Sequence, residues 1–436
     1  MKNNLPQFRE DAFWTAMPMW KDVDYKTFID HRWQEKNAIT SHKKLLTSIQ
    51  SLVSPQFLED AQKGFLKAPM AVRISPYLLS LMNWENPYHC PLRKQFLPLA
   101  SQLQADHPML RFDSLHEQED APLKGLTHRY PDKVLFLALD TCPVYCRFCT
   151  RAYAVGSNTA AAEKISIKAT KERWAQTFTY LAEHSEVEDV VISGGDAFRL
   201  KDTQIDDIAS ELLKLDHIRR FRFATKGPAV MPMKILTDEK WIDAISFWNA
   251  RAKQQHKELS IHTHVNHPAE IAKITQRAMN LLFIRGIKIR NQSVFQKGVN
   301  DSSSVMYPLI KTLSYMNVQP YYVYVHDLTQ GTEDMRTSVK SAMTVEKEVR
   351  GTTAGFNTPT FVVDAPGGGG KRGVHSCEWY DTRTGISVWR SPSVKPDQQF
   401  LYFDPLHSLE KKYQTLWQNP TEQKAMIECA LGHSQY

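Results

Sequence analysis

The sequence has few cysteines and no long apolar run, and both shortages narrow what the protein can be. Only six of its 436 residues are cysteine, and three of these fall in one short stretch, which excludes a disulfide framework and favours a reducing compartment. No apolar run reaches the roughly 20 residues that a membrane-spanning helix requires. Residues 1–14 include acidic side chains and lack an apolar segment, unlike a secretory signal. We therefore expect a cytoplasmic protein.

The chain also lacks tracts of one charge. Its formal net charge is +7, and its basic side chains are mixed with acidic ones. This excludes the clustered basic surface typical of nucleic-acid-binding proteins and is compatible with small anionic ligands such as phosphates or carboxylates. With 42% hydrophobic and 11% aromatic residues, the chain can bury a large core. We expect a large catalytic domain with accessory segments, and neither nucleic acid nor membrane as a partner.

The hydrophobic pattern divides the chain into residues 1–128, 129–371 and 372–436. The first region is predicted to be helical and irregular, and the last to be an extension of mixed strand and helix. Between them, short apolar runs alternate with helical patterns, which is typical of parallel β/α units. We predict an α/β fold, a partial (β/α)6-type TIM barrel with a helical N-terminal region and a C-terminal extension. The predicted strands are 134–139, 189–193, 221–225, 259–265, 287–294, 321–325 and 360–364, and the predicted helices are 171–184, 203–215, 238–253, 269–285 and 303–316.

Polar side chains follow nearly every predicted strand. The carboxyl ends of parallel barrel strands face a common mouth, so these side chains are expected to meet there. An Asp after a strand is commonly a helix N-cap, and a single His on a strand is more often a buried core group than a ligand. Their coincidence at so many strand ends predicts a functional site. The residues are Cys142, Gly194, Gly195, Asp196, Lys226, Gly227, His264, Asn266, His267, Asn291, Gln292, Asp327 and Asp364.

Three thiols, Cys142, Cys146 and Cys149, lie within eight residues after the first predicted barrel strand, in a C-x3-C-x2-C spacing. A loop with this spacing can wrap one inorganic centre. A structural zinc site closes with four ligands, whereas a four-iron cluster held by three cysteines leaves one iron open to another molecule. A four-iron cluster with one open iron is our working hypothesis, and the other motifs of the chain must support it.

Lys371 follows four consecutive glycines, where backbone approaches a ligand without obstruction by Cβ atoms. A nucleotide-binding P-loop is one alternative, but Arg372 stands where Ser or Thr should follow, and the full motif is absent. The other functional use of such a lysine is as a Schiff-base partner of pyridoxal phosphate. For an isolated lysine, simple solvent exposure would be the better explanation.

The cysteine loop, with Phe148 before its last thiol, resembles the signature of radical S-adenosylmethionine enzymes, and the Gly194–Asp196 stretch resembles their Gly-Gly-acid motif. The segment FVVDAPGGGGK, ending at Lys371, is similar to that of the lysine 2,3-aminomutase family. The resemblance runs from WQEKN at Trp33 through LTHRYPDK, CRFCTRAY, VISGGDA, HVNHP, NQSV and PYYVY to Lys371. That family combines an iron-sulfur cluster, S-adenosylmethionine and pyridoxal phosphate.

The resemblance implies a role for each matching residue. Cys142, Cys146 and Cys149 would hold a [4Fe-4S] cluster. The residues expected around S-adenosylmethionine are Gly194, Gly195, Asp196, His264 and Gln292. Those expected around pyridoxal 5'-phosphate are Lys371, Arg129, Tyr324 and Lys133, with Lys371 as the catalytic Schiff-base lysine. Lys133 departs from the arginine usual in the family, keeping the charge but losing the planar fork.

The resemblance also implies a substrate. Arg151 matches the position that grips the substrate α-carboxylate, a task suited to a bidentate guanidinium. Asp327 and Asp364 match the two positions that receive the distal ammonium of lysine. Two carboxylates in one pocket are costly without a cation, so their presence predicts a cationic amino acid. The implied activity is an isomerase that converts L-lysine into β-lysine, with arginine or ornithine as alternatives.

Partners and rival functions complete the prediction. The family chemistry requires an electron donor such as flavodoxin or ferredoxin, and we expect a homo-oligomer. After Lys371 only Cys377 and Cys429 remain, so the Cys-rich zinc site that some members build at a subunit interface is not expected. One rival is the same cofactor chemistry on a lysine attached to a translation factor. Another is a non-enzymatic iron-sulfur sensor, which would have no use for Lys371, Asp327 or Asp364.

Overall fold

The computed structural model describes residues 6–433. Its strands are β1 (Leu126–Tyr130), β2 (Lys133–Leu139), β3 (Asp189–Gly194), β4 (Arg220–Thr225), β5 (Glu258–Thr263), β6 (Lys288–Phe295), β7 (Gln319–Val325), β8 (Thr360–Ala365), β9 (Gly370–Gly373), β10 (Trp379–Asp381), β11 (Ile386–Ser391) and β12 (Lys395–Phe403). Its α-helices are α1 (Tyr25–Phe28), α2 (His31–Lys36), α3 (His42–Ile49), α4 (Pro55–Lys67), α5 (Pro76–Leu81), α6 (Pro91–Phe96), α7 (Lys171–Glu183), α8 (Asp202–Lys214), α9 (Gly227–Val230), α10 (Met233–Thr237), α11 (Glu239–Gln254), α12 (Lys273–Ile284), α13 (Ser303–Tyr315), α14 (Val339–Val349), α15 (Lys411–Leu416) and α16 (Pro420–His433).

The main sheet has nine strands in chain order, β1 to β9. Strands β2 to β8 are parallel to their neighbours, whereas β1 and β9 are antiparallel additions at the two edges. Helices α7, α8, α11, α12, α13 and α14 separate successive parallel strands. The result is six β/α units followed by a seventh parallel strand, which confirms the predicted partial (β/α)6-type barrel.

The sequence explains this order. Parallel strands covered on both faces are rich in Val, Ile and Phe, and β3 (DVVISG) is largely buried along its length. Helix α8 buries Ile205, Ile208 and Leu212 at helical spacing against the sheet. All seven predicted barrel strands are present, with ends shifted by a few residues, as are the helices predicted between them.

The N-terminal region supplies a helical cover, as predicted. Residues 25–49 form three short helices because Asp24, Asp30 and Ser41 each accept a backbone N–H and start a new helix. The aromatic core of this cover includes Trp14, stacked on Phe28 with ring centroids 4.3 Å apart.

The C-terminal extension is a three-stranded antiparallel sheet, in the order β10-β11-β12, followed by α15 and α16. It packs against the barrel through buried polar contacts. The Tyr402 hydroxyl donates to the carbonyl of His326 at 2.8 Å, and the buried Arg336 donates to the carbonyl of Phe403 and to Glu333. The extension therefore supports the loop that carries Asp327. Within residues 6–433, no helix has the length and apolar character needed to span a membrane.

Candidate active site

The barrel interior contains a cavity of about 270 Å³ that extends from Lys133, at the start of β2, to the loops at the carboxyl ends of the strands. Nine of the residues predicted from the sequence line this one cavity. They are Arg129, Lys133, Arg151, His264, Gln292, Tyr324, Asp327, Asp364 and Lys371. The loop that carries the three cysteines leaves β2 at the same end of the barrel.

Lys371 owes its place to the hairpin formed by β8 and β9. The antiparallel register sets Lys371 directly opposite Asp364, and the lysine Nζ lies 3.1 Å from Asp364 Oδ2. Gly370 has a φ of +73°, and a Cβ atom there would lie 2.6 Å from the Tyr130 hydroxyl oxygen. The Lys371 backbone N–H donates to that hydroxyl at 3.1 Å. A side chain of β1 thus joins the two edges of the open barrel at the catalytic candidate.

The charged form of Lys371 is stabilised by its neighbours. Burial alone would lower its pKa, but the Asp364 carboxylate raises the pKa of Lys371 well above the ordinary value. The ammonium also lies 5.6 Å from the ring centroids of Tyr130 and Tyr324, at cation–π distance. The Lys371 ammonium is therefore close to two aromatic rings of the cavity wall.

Two acidic side chains face the cavity with spare acceptors. Asp327 and Asp364 are 9% and 8% exposed, and the Oδ1 atom of each is buried without a hydrogen-bond partner among the described residues. Burial, followed by the Asp364 carboxylate, raises the pKa of Asp327 to about 8. Unpartnered buried acceptors are costly, and a pair of carboxylates is relieved by a cation. The arrangement suits a ligand with an ammonium or guanidinium group.

Arg151 has a partner that sequence reasoning missed. Its Nε and Nη2 atoms lie 2.9 and 2.7 Å from the two carboxylate oxygens of Glu117, and Tyr153 donates to the same carboxylate at 2.9 Å. Burial opposes the charge on Arg151, but Glu117 raises the pKa of Arg151 above its ordinary value. No local pattern connects Glu117 to Arg151, because 34 residues separate them.

Another part of the cavity is basic. The Lys133 ammonium lies 3.8 Å from the Tyr130 ring centroid, and burial, followed by the charges of Lys371 and Arg222, lowers the pKa of Lys133 to about 8. Arg222 and His262 also line this part and were not predicted. Their inward positions on β4 and β5 follow from strand alternation. Arg222 is paired with Asp189 at 2.5 and 2.6 Å, so Lys133 is the member of this group best placed to receive an anionic ligand such as a phosphate.

Arg129, which was also expected to bind pyridoxal phosphate, is fixed by residues outside the barrel strands. Its Nε donates to Asp120 Oδ2 at 2.6 Å, and the other carboxylate oxygen of Asp120 lies 3.0 Å from the Lys395 ammonium of β12. The C-terminal sheet therefore reaches the cavity through two charged contacts.

The three cysteines are partly buried on one loop. Burial, followed by the charges of Asp196, Cys149 and Cys146, raises the pKa of Cys142 well above its ordinary value. Phe148 stacks on the His264 ring, with centroids 5.5 Å apart, and the His264 Nε2 atom has no described partner. No three or more His, Cys, Asp or Glu side chains between residues 6 and 433 are arranged to hold a metal ion. Three neighbouring soft sulfur donors suit an iron-sulfur cluster better than a structural zinc ion.

The Gly-Gly-acid stretch lies beside these thiols at the end of β3. A Cβ atom on Gly195 would lie 2.4 Å from the Thr141 carbonyl oxygen, so glycine allows the strand end to approach the cysteine loop. The Asp196 carboxylate accepts the backbone N–H groups of Phe198 and Lys226, both at 2.8 Å. It thus caps the turn Ala197–Arg199 and ties β3 to β4.

Comparison with known proteins adds what geometry alone does not. Residues 346–377, which include Asp364 and Lys371, match the sequence model of the family described as Lysine-2,3-aminomutase. An L-lysine 2,3-aminomutase of Acetoanaerobium sticklandii is 38% identical over 352 residues, 81% of this chain and 80% of the relative. The chain belongs to the lysine 2,3-aminomutase family. An aminomutase is an isomerase, so family membership identifies the protein as an enzyme of that class.

Other members of the family show its range. An L-lysine 2,3-aminomutase of Fusobacterium nucleatum is 35% identical over 363 residues, 83% of this chain and 79% of the relative. A glutamate 2,3-aminomutase of Clostridioides difficile is 31% identical over 345 residues, 78% of this chain and 75% of the relative. The lysine 2,3-aminomutase family thus has relatives of this chain named for a cationic and for an acidic amino acid, and the side chains of the cavity must distinguish between them.

Proposed function

We propose that this protein is a 2,3-aminomutase for a cationic amino acid, with L-lysine as substrate and β-lysine as product. One observation supports the choice most strongly. The buried carboxylates of Asp327 and Asp364 each keep an oxygen without a partner among the described residues, in a cavity that also contains the Arg151 guanidinium. A zwitterion with a second cationic group satisfies both ends.

In this proposal each protein group has a defined task. Arg151 binds the substrate α-carboxylate, and the two aspartates receive the distal ammonium. Lys371 supplies the amine that attaches pyridoxal phosphate and lies 3.1 Å from Asp364. The rings of Tyr130 and Tyr324 each lie 5.6 Å from that amine and exclude water. The barrel fixes the distance between the two substrate ends, which is the positioning that an intramolecular shift requires.

The residues present fit the cofactors of the proposal. The three cysteine thiols would hold a [4Fe-4S] cluster. His264, with its unpartnered Nε2 atom, would contact S-adenosylmethionine together with Gly194, Gly195, Asp196 and Gln292. The basic part of the cavity, with Arg129, Lys133 and Arg222, would hold the phosphate of pyridoxal phosphate. When bound, the first two supply a carbon radical that removes hydrogen, and the third supplies an electron-accepting ring.

A one-electron donor such as flavodoxin or ferredoxin is part of the same proposal, as is a homo-oligomeric assembly. The competing substrate is glutamate, which a related enzyme is named for. Its side-chain carboxylate would meet Asp327 and Asp364, and like charges at close range are unfavourable. The geometry therefore favours lysine, with arginine or ornithine as longer or shorter alternatives of the same charge.

A substrate panel tests the proposal. The anaerobically reconstituted, reduced enzyme is incubated separately with lysine, arginine, ornithine and glutamate, and β-amino acids are detected by mass spectrometry. We expect turnover of cationic amino acids, lysine foremost, and none of glutamate. Turnover of glutamate alone would contradict the assignment of both aspartates.

A further inference from the structure

The cavity contains opposite charges that would neutralise each other if they were free to move. Arg151, Asp327 and Asp364 line the same space of about 270 Å³, and the charge of Arg151 already lowers the pKa of Asp327 against the larger effect of burial. A receptor for a zwitterion must keep its own cation and anions apart. Lys371 donates a hydrogen bond to one oxygen of Asp364. Arg151 also needs a partner, because it must be kept from pairing with the aspartates.

We propose that Glu117 is a positioning residue that holds Arg151 away from the aspartates and presents one edge of its guanidinium to the substrate. The proposal rests on the proposed role of Arg151 as the carboxylate receptor. The Glu117 carboxylate spans the edge formed by Nε and Nη2, at 2.9 and 2.7 Å. Within residues 6–433, Nη1 makes no hydrogen bond with the protein, so the second edge is available to a substrate carboxylate.

Glu117 is itself fixed and is not a mobile competitor for Arg151. Its backbone N–H donates to Asp113 Oδ1 at 2.9 Å, and its carbonyl accepts from the Thr127 hydroxyl at 3.2 Å. Its carboxylate also receives the Tyr153 hydroxyl at 2.9 Å. Glu117 is 5% exposed and Tyr153 is 7% exposed. These contacts at the backbone and the side chain hold the Glu117 carboxylate in one position.

The pairing also changes what Arg151 recognises. A buried guanidinium without a counter-ion attracts any anion, whereas one already paired with Glu117 gains less from charge alone and more from the two parallel hydrogen bonds that a planar carboxylate forms. Glu117 should therefore increase selectivity for the α-carboxylate. Its charge also raises the pKa of Asp327, behind the larger effects of burial and Asp364, so we expect a smaller effect on recognition of the distal ammonium.

The test uses the reconstituted enzyme with Glu117→Gln, Glu117→Ala and Tyr153→Phe. Glu117→Gln keeps the shape of the side chain but removes its charge, and Tyr153→Phe removes one hydrogen bond. We expect the KM for lysine to rise about tenfold or more in Glu117→Gln, further in Glu117→Ala and about fivefold in Tyr153→Phe, with a smaller change in kcat. Inhibition by L-lysinamide, which keeps both amines but lacks the carboxylate, should weaken much less than the binding of lysine, a difference that general loss of structure would not produce.

Glu119→Gln is the matched control, because Glu119 lies on the same loop with its side chain 72% exposed; its KM should equal that of the wild type. An unchanged or lower KM in Glu117→Gln, or equal weakening of lysine and lysinamide, would overturn the positioning role. Failure of the proposed function is recognised by a different result. The wild-type enzyme would then convert none of the cationic amino acids, and the proposed role of Glu117 would be wrong as well.

Discussion

Replacing Asp327 by Asn removes a side chain that can carry a negative charge and leaves the shape of the cavity almost intact. In the wild type the Asp327 carboxylate is buried with an unpartnered oxygen, and an ammonium bound there would gain a charge-assisted hydrogen bond worth about 1.5–3 kcal/mol. That range corresponds to a loss of roughly 10- to 150-fold in kcat/KM for lysine. The loss should appear mainly in KM, since the distal ammonium is far from the reacting carbons.

The same substitution should have the opposite effect on stability. The pKa of Asp327 is raised from 3.8 to about 8 by burial and then by Asp364, so between these pH values the folded state retains a proton that the unfolded state has lost. Stability of the ligand-free wild type therefore falls as pH rises through this window. Asp327→Asn does not titrate, and we expect it to be more stable than the wild type at pH 8, by about 2 kcal/mol.

Two assays check the prediction. Steady-state kinetics with lysine at several pH values should show the wild-type KM falling as pH rises toward about 8, where Asp327 ionises, and this part of the pH dependence should be absent in Asp327→Asn. Urea denaturation of the ligand-free proteins at pH 8 measures the stability difference. An Asp327→Asn enzyme with wild-type KM, or one that is less stable at pH 8, would refute the reasoning.

Three further substitutions test other parts of the cavity. Lys371→Ala should abolish turnover and prevent borohydride from fixing pyridoxal phosphate to the chain, while the absorbance of the cluster remains. Lys133→Ala removes another lysine of the same cavity. This control should still gain the mass of reduced pyridoxal phosphate when the intact protein is weighed by mass spectrometry. Lys395→Met removes the cation 3.0 Å from Asp120 and should weaken pyridoxal phosphate binding about three- to tenfold by loosening Arg129, whereas Lys424→Met, whose side chain is 78% exposed, should not. Gly195→Ala places a Cβ atom 2.4 Å from the Thr141 carbonyl oxygen, so the cysteine loop must move. We expect a lower iron content per chain in a colorimetric iron assay. Iron content equal to that of the wild type would show that the loop adapts.

The sequence predicted the barrel because its strands are short apolar runs bounded by helical patterns, a local signal. Resemblance then placed Asp327, Asp364 and Lys371, which the structure brings to one cavity. Glu117 could not be found in this way, since its contact with Arg151 joins segments 34 residues apart. The C-terminal extension had no predicted role, because the contact of Lys395 with Asp120 spans 275 residues and no periodic pattern encodes it.

Substitution of a buried polar group in this cavity is thus expected to change stability and activity in different directions. We expect Asp327 to destabilise the empty protein and to serve only a cationic ligand, whereas the Glu117 carboxylate is paired with Arg151 without a ligand. A cavity maintained only for packing would not keep two unpartnered carboxylate oxygens.

The central claim is that this chain moves the amino group of a cationic amino acid from the α- to the β-carbon. Incubation of the reduced, reconstituted enzyme with lysine carrying 15N at its α-amino group and 13C at its β-carbon tests this directly by NMR. We predict a new one-bond 13C–15N coupling at the β-carbon of the product. Retention of the label on the α-carbon, or its release as ammonia, would contradict the account.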